Sequence, residues 1–129
     1  MRRLIRAVVT AALAVATFAG GGALLAPSAA AAGAPVEICD PDGCYLGRVA
    51  MHAESDSTGK FLRLYVCDFF NDGHVVAARV DFGTEVRQFA DPNVGDQLCN
   101  THIFRVSVRK FRMVVGDWWA SDWKAPPAL

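Results

Sequence analysis

Alternation of apolar and polar positions at period two dominates this chain from residue 44 onward. Val76, Ala78, Val80 and Phe82 fall on one face of an extended segment, and Val75, Ala77, Arg79 and Asp81 on the other. Just before it, Leu62, Leu64 and Val66 alternate with Phe61, Arg63, Tyr65 and Cys67. Asp72-Gly73 lies between the two runs. It is a favoured hairpin pair, because such turns require positive φ, which Gly adopts freely and Asp better than most residues. The pattern therefore predicts a hairpin closed across Phe69 to Gly73. Gly83-Thr84 marks a second turn, leading to a shorter run from Glu85 to Ala90. Asp91-Pro92-Asn93 ends that run, since Pro has no amide hydrogen to donate.

Cys44 to His52 reads as a further strand, with Tyr45, Gly47, Val49 and Met51 on one face and Leu46 and Ala50 on the other. The polar, turn-rich Ala53 to Lys60 reads as a surface loop. From His102 to Arg109, Phe104, Val106 and Val108 oppose Arg105, Ser107 and Arg109. Continued parity would put Lys110 on the core face, which predicts a bulge or strand end before Phe111, Met113 and Val115 resume. About seven short strands with turns between them, and no helical periodicity, predict an all-β fold. The expected form is a single small antiparallel β-sandwich, Ig-like in its layering, with a small β-barrel as the alternative.

The first 32 residues depart from this pattern. Arg2, Arg3 and Arg6 precede an Ala-rich apolar region and the small residues Ala30-Ala31-Ala32, the layout of a secretory signal peptide cleaved after Ala32. Gly20-Gly21-Gly22 and Pro27 interrupt the apolar region and argue against an uncleaved anchor. The expected organisation is a signal peptide over 1–32, a flexible mature N-terminus over 33–37, a disulfide-stapled β domain over 38–123 and a loose C-terminal tail over 124–129. Of 129 residues 97 then remain, enough for one domain.

Cleavage also changes the charge. The whole chain carries 13 basic and 13 acidic residues, and losing three Arg leaves 10 against 13, a net charge of −3. A basic nucleic-acid surface is not expected of such a chain, because phosphate binding depends on clustered Lys and Arg. The expected location is secreted and extracellular, with no stable membrane span after cleavage.

A secreted chain can oxidise its cysteines, and there are four, Cys39, Cys44, Cys67 and Cys99. Asp40-Pro41-Asp42-Gly43 between the first two suits a type I turn and brings their sulfurs close, leaving Cys67 for Cys99. The CxxxxC spacing is neither a CxxC redox motif nor, without a nearby His, a zinc motif.

Candidate chemistry is sparse. His52, His74 and His102 sit near predicted strand ends but lack short-range ligand spacing, so no metal is expected there. Asp68, Asn71 and Asp72, or Asp40 and Asp42, lack the full ligand ladder of a calcium loop and fit turns instead. No Ser, Glu or Asp stands in a catalytic motif, so no catalytic residue is assigned and no cofactor is expected. The clearest functional signal is GDWWASDW. Trp119 and Trp123, four apart, share a face in either a strand or a helical turn. With Trp118, and with Asp117 and Asp122 for hydrogen bonds, they form a candidate ligand-binding surface for sugar rings or a partner's side chains. The alternative is that these indoles cap the core.

The chain resembles uncharacterised small secreted β-sandwich proteins of actinobacteria. The likeness lies in the Ala-rich signal, in Cys67-Asp68 followed by Asn71-Asp72-Gly73, in the strand Ala77-Ala78-Arg79-Val80, and in the run from Cys99 into Val106 to Val115. It covers most of the mature chain, implies a single β-sandwich and carries over no catalytic residue. The chain is also similar in size and disulfide number to secreted subtilisin inhibitors, but its short Cys39/Cys44 loop departs from their spacing. The sequence thus points to a secreted, non-enzymatic extracellular interaction module with a glycan as first candidate partner. A protein inhibitor or effector acting through a protein interface is the second reading, and a small extracellular hydrolase the third.

Overall fold

The computed structural model describes residues 32–95 and 98–129; the signal-peptide reading of 1–32 lies, but for Ala32, outside the described residues. Eight strands follow in order: β1 (Val36–Cys39), β2 (Gly47–Asp56), β3 (Gly59–Asp68), β4 (Val76–Asp81), β5 (Val86–Ala90), β6 (Asn100–Phe104), β7 (Lys110–Val115) and β8 (Trp119–Ala120). They form two four-stranded antiparallel sheets, ordered β1-β2-β3-β6 and β5-β4-β7-β8. The predicted β-sandwich is the fold, and the sheets do not close into a barrel. Likeness to an immunoglobulin domain is a matter of layering, since this strand order is not that of the immunoglobulin sheets.

The inward positions of the alternating runs make the core. Val49 and Met51 of β2 and Leu62, Leu64 and Val66 of β3 meet Val76, Ala78 and Val80 of β4 and Phe111, Met113 and Val115 of β7. The disulfides are Cys39–Cys44 and Cys67–Cys99, as the turn between the first pair predicts.

Three local expectations are overturned. The hairpin across Phe69 to Gly73 does not form, because β3 and β4 belong to different sheets. Asp68, buried at the end of β3, turns the chain over by accepting the N–H of Phe70 (3.4 Å) and of Val76 (3.1 Å). Asp72-Gly73 is still a tight turn, with the His74 N–H on Asp72 Oδ1 at 2.9 Å, but it sits in a crossing between layers.

The surface loop at Ala53 to Lys60 is instead the far end of the longest hairpin. β2 and β3 pair from Gly47↔Asp68 to Asp56↔Gly59, leaving only Ser57-Thr58 as the turn. Asp56 Oδ1 accepts the Thr58 N–H at 2.8 Å and its hydroxyl at 2.6 Å, and Gly59 takes the positive φ of 126°. Polar residues remain in strand there because backbone pairing, assisted by Arg63 Nε on Glu54 at 2.8 Å, continues beyond the edge of the core.

The run from His102 to Arg109 is two structures. β6 ends at Phe104, the chain crosses to the other sheet, and β7 begins at Lys110. Phe104 and Val108 are buried, whereas Val106 is 61% exposed on the crossing. Lys110 is a strand start rather than a bulge or end, and its side chain faces outward near Asp81 (3.9 Å).

Both chain ends of the domain are tied in. The Gly33 N–H donates to the Ala128 carbonyl at 2.9 Å, Lys124 exchanges two backbone bonds with Phe111, and Pro127 is buried. The loose tail expected over 124–129 is therefore docked against the sandwich.

Candidate functional site

The β7–β8 hairpin carries the tryptophan segment. Val115 pairs with Trp119 and Val114 with Ala120. That register turns Trp119 inward, where it packs against the core, and Ala120 outward. In an unbroken ladder Phe111 would pair with residue 123, but its partner is Lys124. One extra residue is therefore inserted over 121–123, a β-bulge that inverts the side-chain parity. Ser121 makes it possible, because its Oγ, and not its carbonyl, accepts the Met113 N–H (3.0 Å) while the hydroxyl donates to the Asp122 carbonyl (2.9 Å).

The bulge overturns the expectation that Trp119 and Trp123 share a face. Trp123 lies on the outer face of the sheet, with the Arg112 guanidinium 4.6 Å and the Lys110 Nζ 4.8 Å from its ring centroid. Trp118, at the tip of the hairpin, is the exposed indole at 50%. It meets the His74 ring in an edge-to-face arrangement at a centroid distance of 6.1 Å. Asp117 is exposed beside it, and Asp122 is exposed on the far side of the bulge.

Three of the five candidate ligand-binding residues come together. Asp117, Trp118 and Trp119 line a shallow pocket of about 240 Å³ with Arg79 and Val114, on the outer face of the sheet. Trp123 and Asp122 are not in its wall. Arg79 was not singled out as a site residue from the sequence; parity places it outward, but only the β4–β7 register places it beside the hairpin, directly across from Arg112.

A larger groove of about 620 Å³ opens between the edge strands β5 and β6. Its floor is aromatic: the Phe89 ring packs at a tilt against His102 (4.7 Å) and Phe104 (5.2 Å), and Phe82 meets Phe104 edge-on at 5.2 Å. Burial pushes the His102 imidazolium pKa down, favouring the neutral ring. Its Nε2 lies 3.1 Å from Asn100 Nδ2, which donates to the Ala90 carbonyl at 2.9 Å. The rim cations are satisfied, Arg87 by Glu85 and Arg105 by Asp56. Arg105, then Thr58, hold the Asp56 carboxyl well below the usual aspartate range. These rings seal one open side of the sandwich by packing on one another.

The remaining candidate chemistry is committed to structure. Asp40 accepts the N–H groups of Asp42, Leu46 and Gly47, and Asp91 accepts those of Asp68 and Asn93. These buried carboxylates hold turns, as the Asx reading of such residues implies. The three histidines do not converge: His52 packs at a tilt against Tyr65 (4.8 Å), His74 lies against Trp118 and His102 against Phe89. Among the described residues one group of three ligand-type atoms lies within 4.8 Å, Glu37 with Cys39 and Cys44, and the disulfide occupies both sulfurs.

No helix among the described residues is long and apolar enough to cross a membrane. No family model, curated protein or solved structure matches this chain.

Proposed function

We propose that this chain is a secreted, non-enzymatic extracellular interaction module that binds a glycan in the shallow pocket beside Trp118. The carrying observation is the half-exposed Trp118 indole standing with Asp117 and Arg79 around one cavity. A flat apolar ring flanked by hydrogen-bonding side chains suits a sugar, whose axial C–H face stacks while its hydroxyls bond at the rim. The two disulfides and the docked chain ends support an extracellular setting, where small domains rely on such staples. The resemblance to small secreted sandwich proteins of actinobacteria is in keeping with this reading.

The site is smaller than the sequence implied, since one indole and not a Trp119/Trp123 platform offers its face. Trp118 emission should be shielded from a soluble quencher when the protein binds insoluble cell-wall polysaccharide. Unchanged quenching on bound protein would sink the proposal. A protein interface is the second reading, supported by Val86, Ile103 and Val106, each about half exposed around the β5–β6 groove. Hydrolysis is not proposed, because the buried carboxylates are spent on backbone amides.

A further inference from the structure

Arg79 and Arg112 stand directly opposite each other on β4 and β7, both on the outer face of their sheet. Like charges in register are unfavourable across a pair of strands. Among the described residues no carboxylate oxygen lies within 4 Å of either guanidinium: Asp117 lines the Trp118 pocket with Arg79 without forming an ion pair to it, and Asp81 goes to the nearby Lys110 at 3.9 Å. The face therefore holds two cations outside any ion pair among the described residues and a third that is weakly paired.

Each guanidinium is also anchored, Arg79 toward β5 and Arg112 toward the β8 side of the sheet. Arg79 donates its Nε to Gln88 Oε1 at 3.1 Å. Arg112 lies over the Trp123 ring, with its own Nε buried and without a hydrogen-bond partner. The terminal nitrogens of both remain for a ligand, in the fork arrangement that suits the two oxygens of a carboxylate or phosphate. Arg79 is shared with the pocket beneath Trp118.

We infer that the ligand of this surface is an anionic polysaccharide, with a sugar ring on Trp118 and its acidic groups held by Arg79 and Arg112. This rests on the glycan reading above and adds its charge. Uronate carboxylates and the phosphodiesters of a polyol-phosphate polymer offer the same chemistry. Trp123 then has a role that parity in an unbroken strand would deny it, as the platform that orders Arg112 and Lys110.

The test compares binding of the secreted protein to soluble polygalacturonate, to its methyl ester, to poly(glycerol phosphate) and to duplex DNA. An Arg79→Gln/Arg112→Gln variant and a Trp118→Ala variant are measured alongside. The expected result is binding of an acidic polymer at least about tenfold tighter than of the ester, lost by about tenfold or more in the arginine variant. The arginine variant should keep the parent melting temperature, since removing the opposed charges relieves repulsion. Preference between the uronate and the phosphate polymer identifies the source of the acidic group. Equal binding of acid and ester, unchanged in the arginine variant but lost in Trp118→Ala, would overturn the inference and leave the glycan reading standing. Acid-dependent binding indifferent to Trp118→Ala would overturn the glycan reading and, with it, the inference that the acidic polymer is held by a sugar ring on Trp118. Binding to DNA as tight as to either acidic polymer, or to no polymer at all, would overturn both.

Discussion

The main-chain N–H of Met113 donates to the Oγ of Ser121 at 3.0 Å, and this bond sets which way Trp123 faces. In a regular ladder the acceptor would be a carbonyl, and the strand would continue in step. Replacing Ser121 by Ala removes the acceptor and strands a buried amide, so Ser121→Ala should lower stability by about 1–3 kcal/mol. Trp123 emission should shift as the indole loses its fixed place under Arg112. An unchanged denaturation midpoint together with an unchanged spectrum would show that the bulge does not depend on this hydroxyl.

Gly47 is chosen by space rather than by φ. A Cβ at this position would overlap the Cys67 carbonyl oxygen and come within 2.8 Å of Val76 Cγ2, where the end of β2 is pressed between β3 and β4. Neither neighbour is the free end of a long side chain. Gly47→Ala should therefore destabilise by about 1–3 kcal/mol, the usual cost of overpacking a core. Chemical denaturation checks this, and a neutral substitution would mean that the β2–β3 hairpin shifts freely at its base.

How much of this was legible in the sequence follows from what period two can and cannot record. Val49, Met51, Leu64, Val80 and Met113 were readable as core because their burial is imposed by the strand's own alternation. The disulfide pairing was readable because Pro41 and Gly43 dictate a local turn. Layer assignment was not. Asp72-Gly73 is equally at home in a hairpin and in a crossing between sheets, and what decides is Asp68 bonding the Val76 amide. Glu54, Ser55 and Lys60 looked like loop because polar strand residues carry no hydrophobic signal. The face of Trp123 was lost at a single inserted residue, since Ser121 in a strand and Ser121 in a bulge read alike. Arg79 and Arg112 meet only through a register set between residues more than thirty apart in sequence.

The two disulfides should contribute unequally. Cys67–Cys99 closes a loop with a sequence separation of 32 and Cys39–Cys44 one of 5. On the loop-entropy model the first is worth about 4 kcal/mol and the second about 2. Paired Cys→Ala variants, unfolded in denaturant under oxidising conditions, give the order directly. A larger loss from the short loop would mean that Asp40 and its turn depend on that bond more than loop entropy allows.

Asp68 adds a pH dependence of defined sign. Burial, with smaller pushes from Asp72 and Asp91, raises its pKa above the ordinary 3.8, against the amides of Val76 and Phe70. A folded value above the unfolded one means that the native state holds the proton longer, so this group's contribution falls as pH climbs from 3.8 to the raised value. Asp56 acts in the opposite sense, since its lowered pKa gives a contribution present above 3.8 and lost as pH drops below it. Asp68→Asn should flatten the decline in melting temperature just above pH 3.8 and leave the acid limb in place. The same decline in parent and variant would assign it to another group.

In the proposed site Trp118, and not Trp123, offers its face to a sugar. The decisive measurement is retention of the protein on insoluble cell-wall polysaccharide, compared with Trp118→Ala and Trp123→Phe at matched folded concentrations. Retention should be lost in Trp118→Ala and at least partly kept in Trp123→Phe, which preserves a ring beneath Arg112. Equal retention by the parent and a folded Trp118→Ala variant would contradict it.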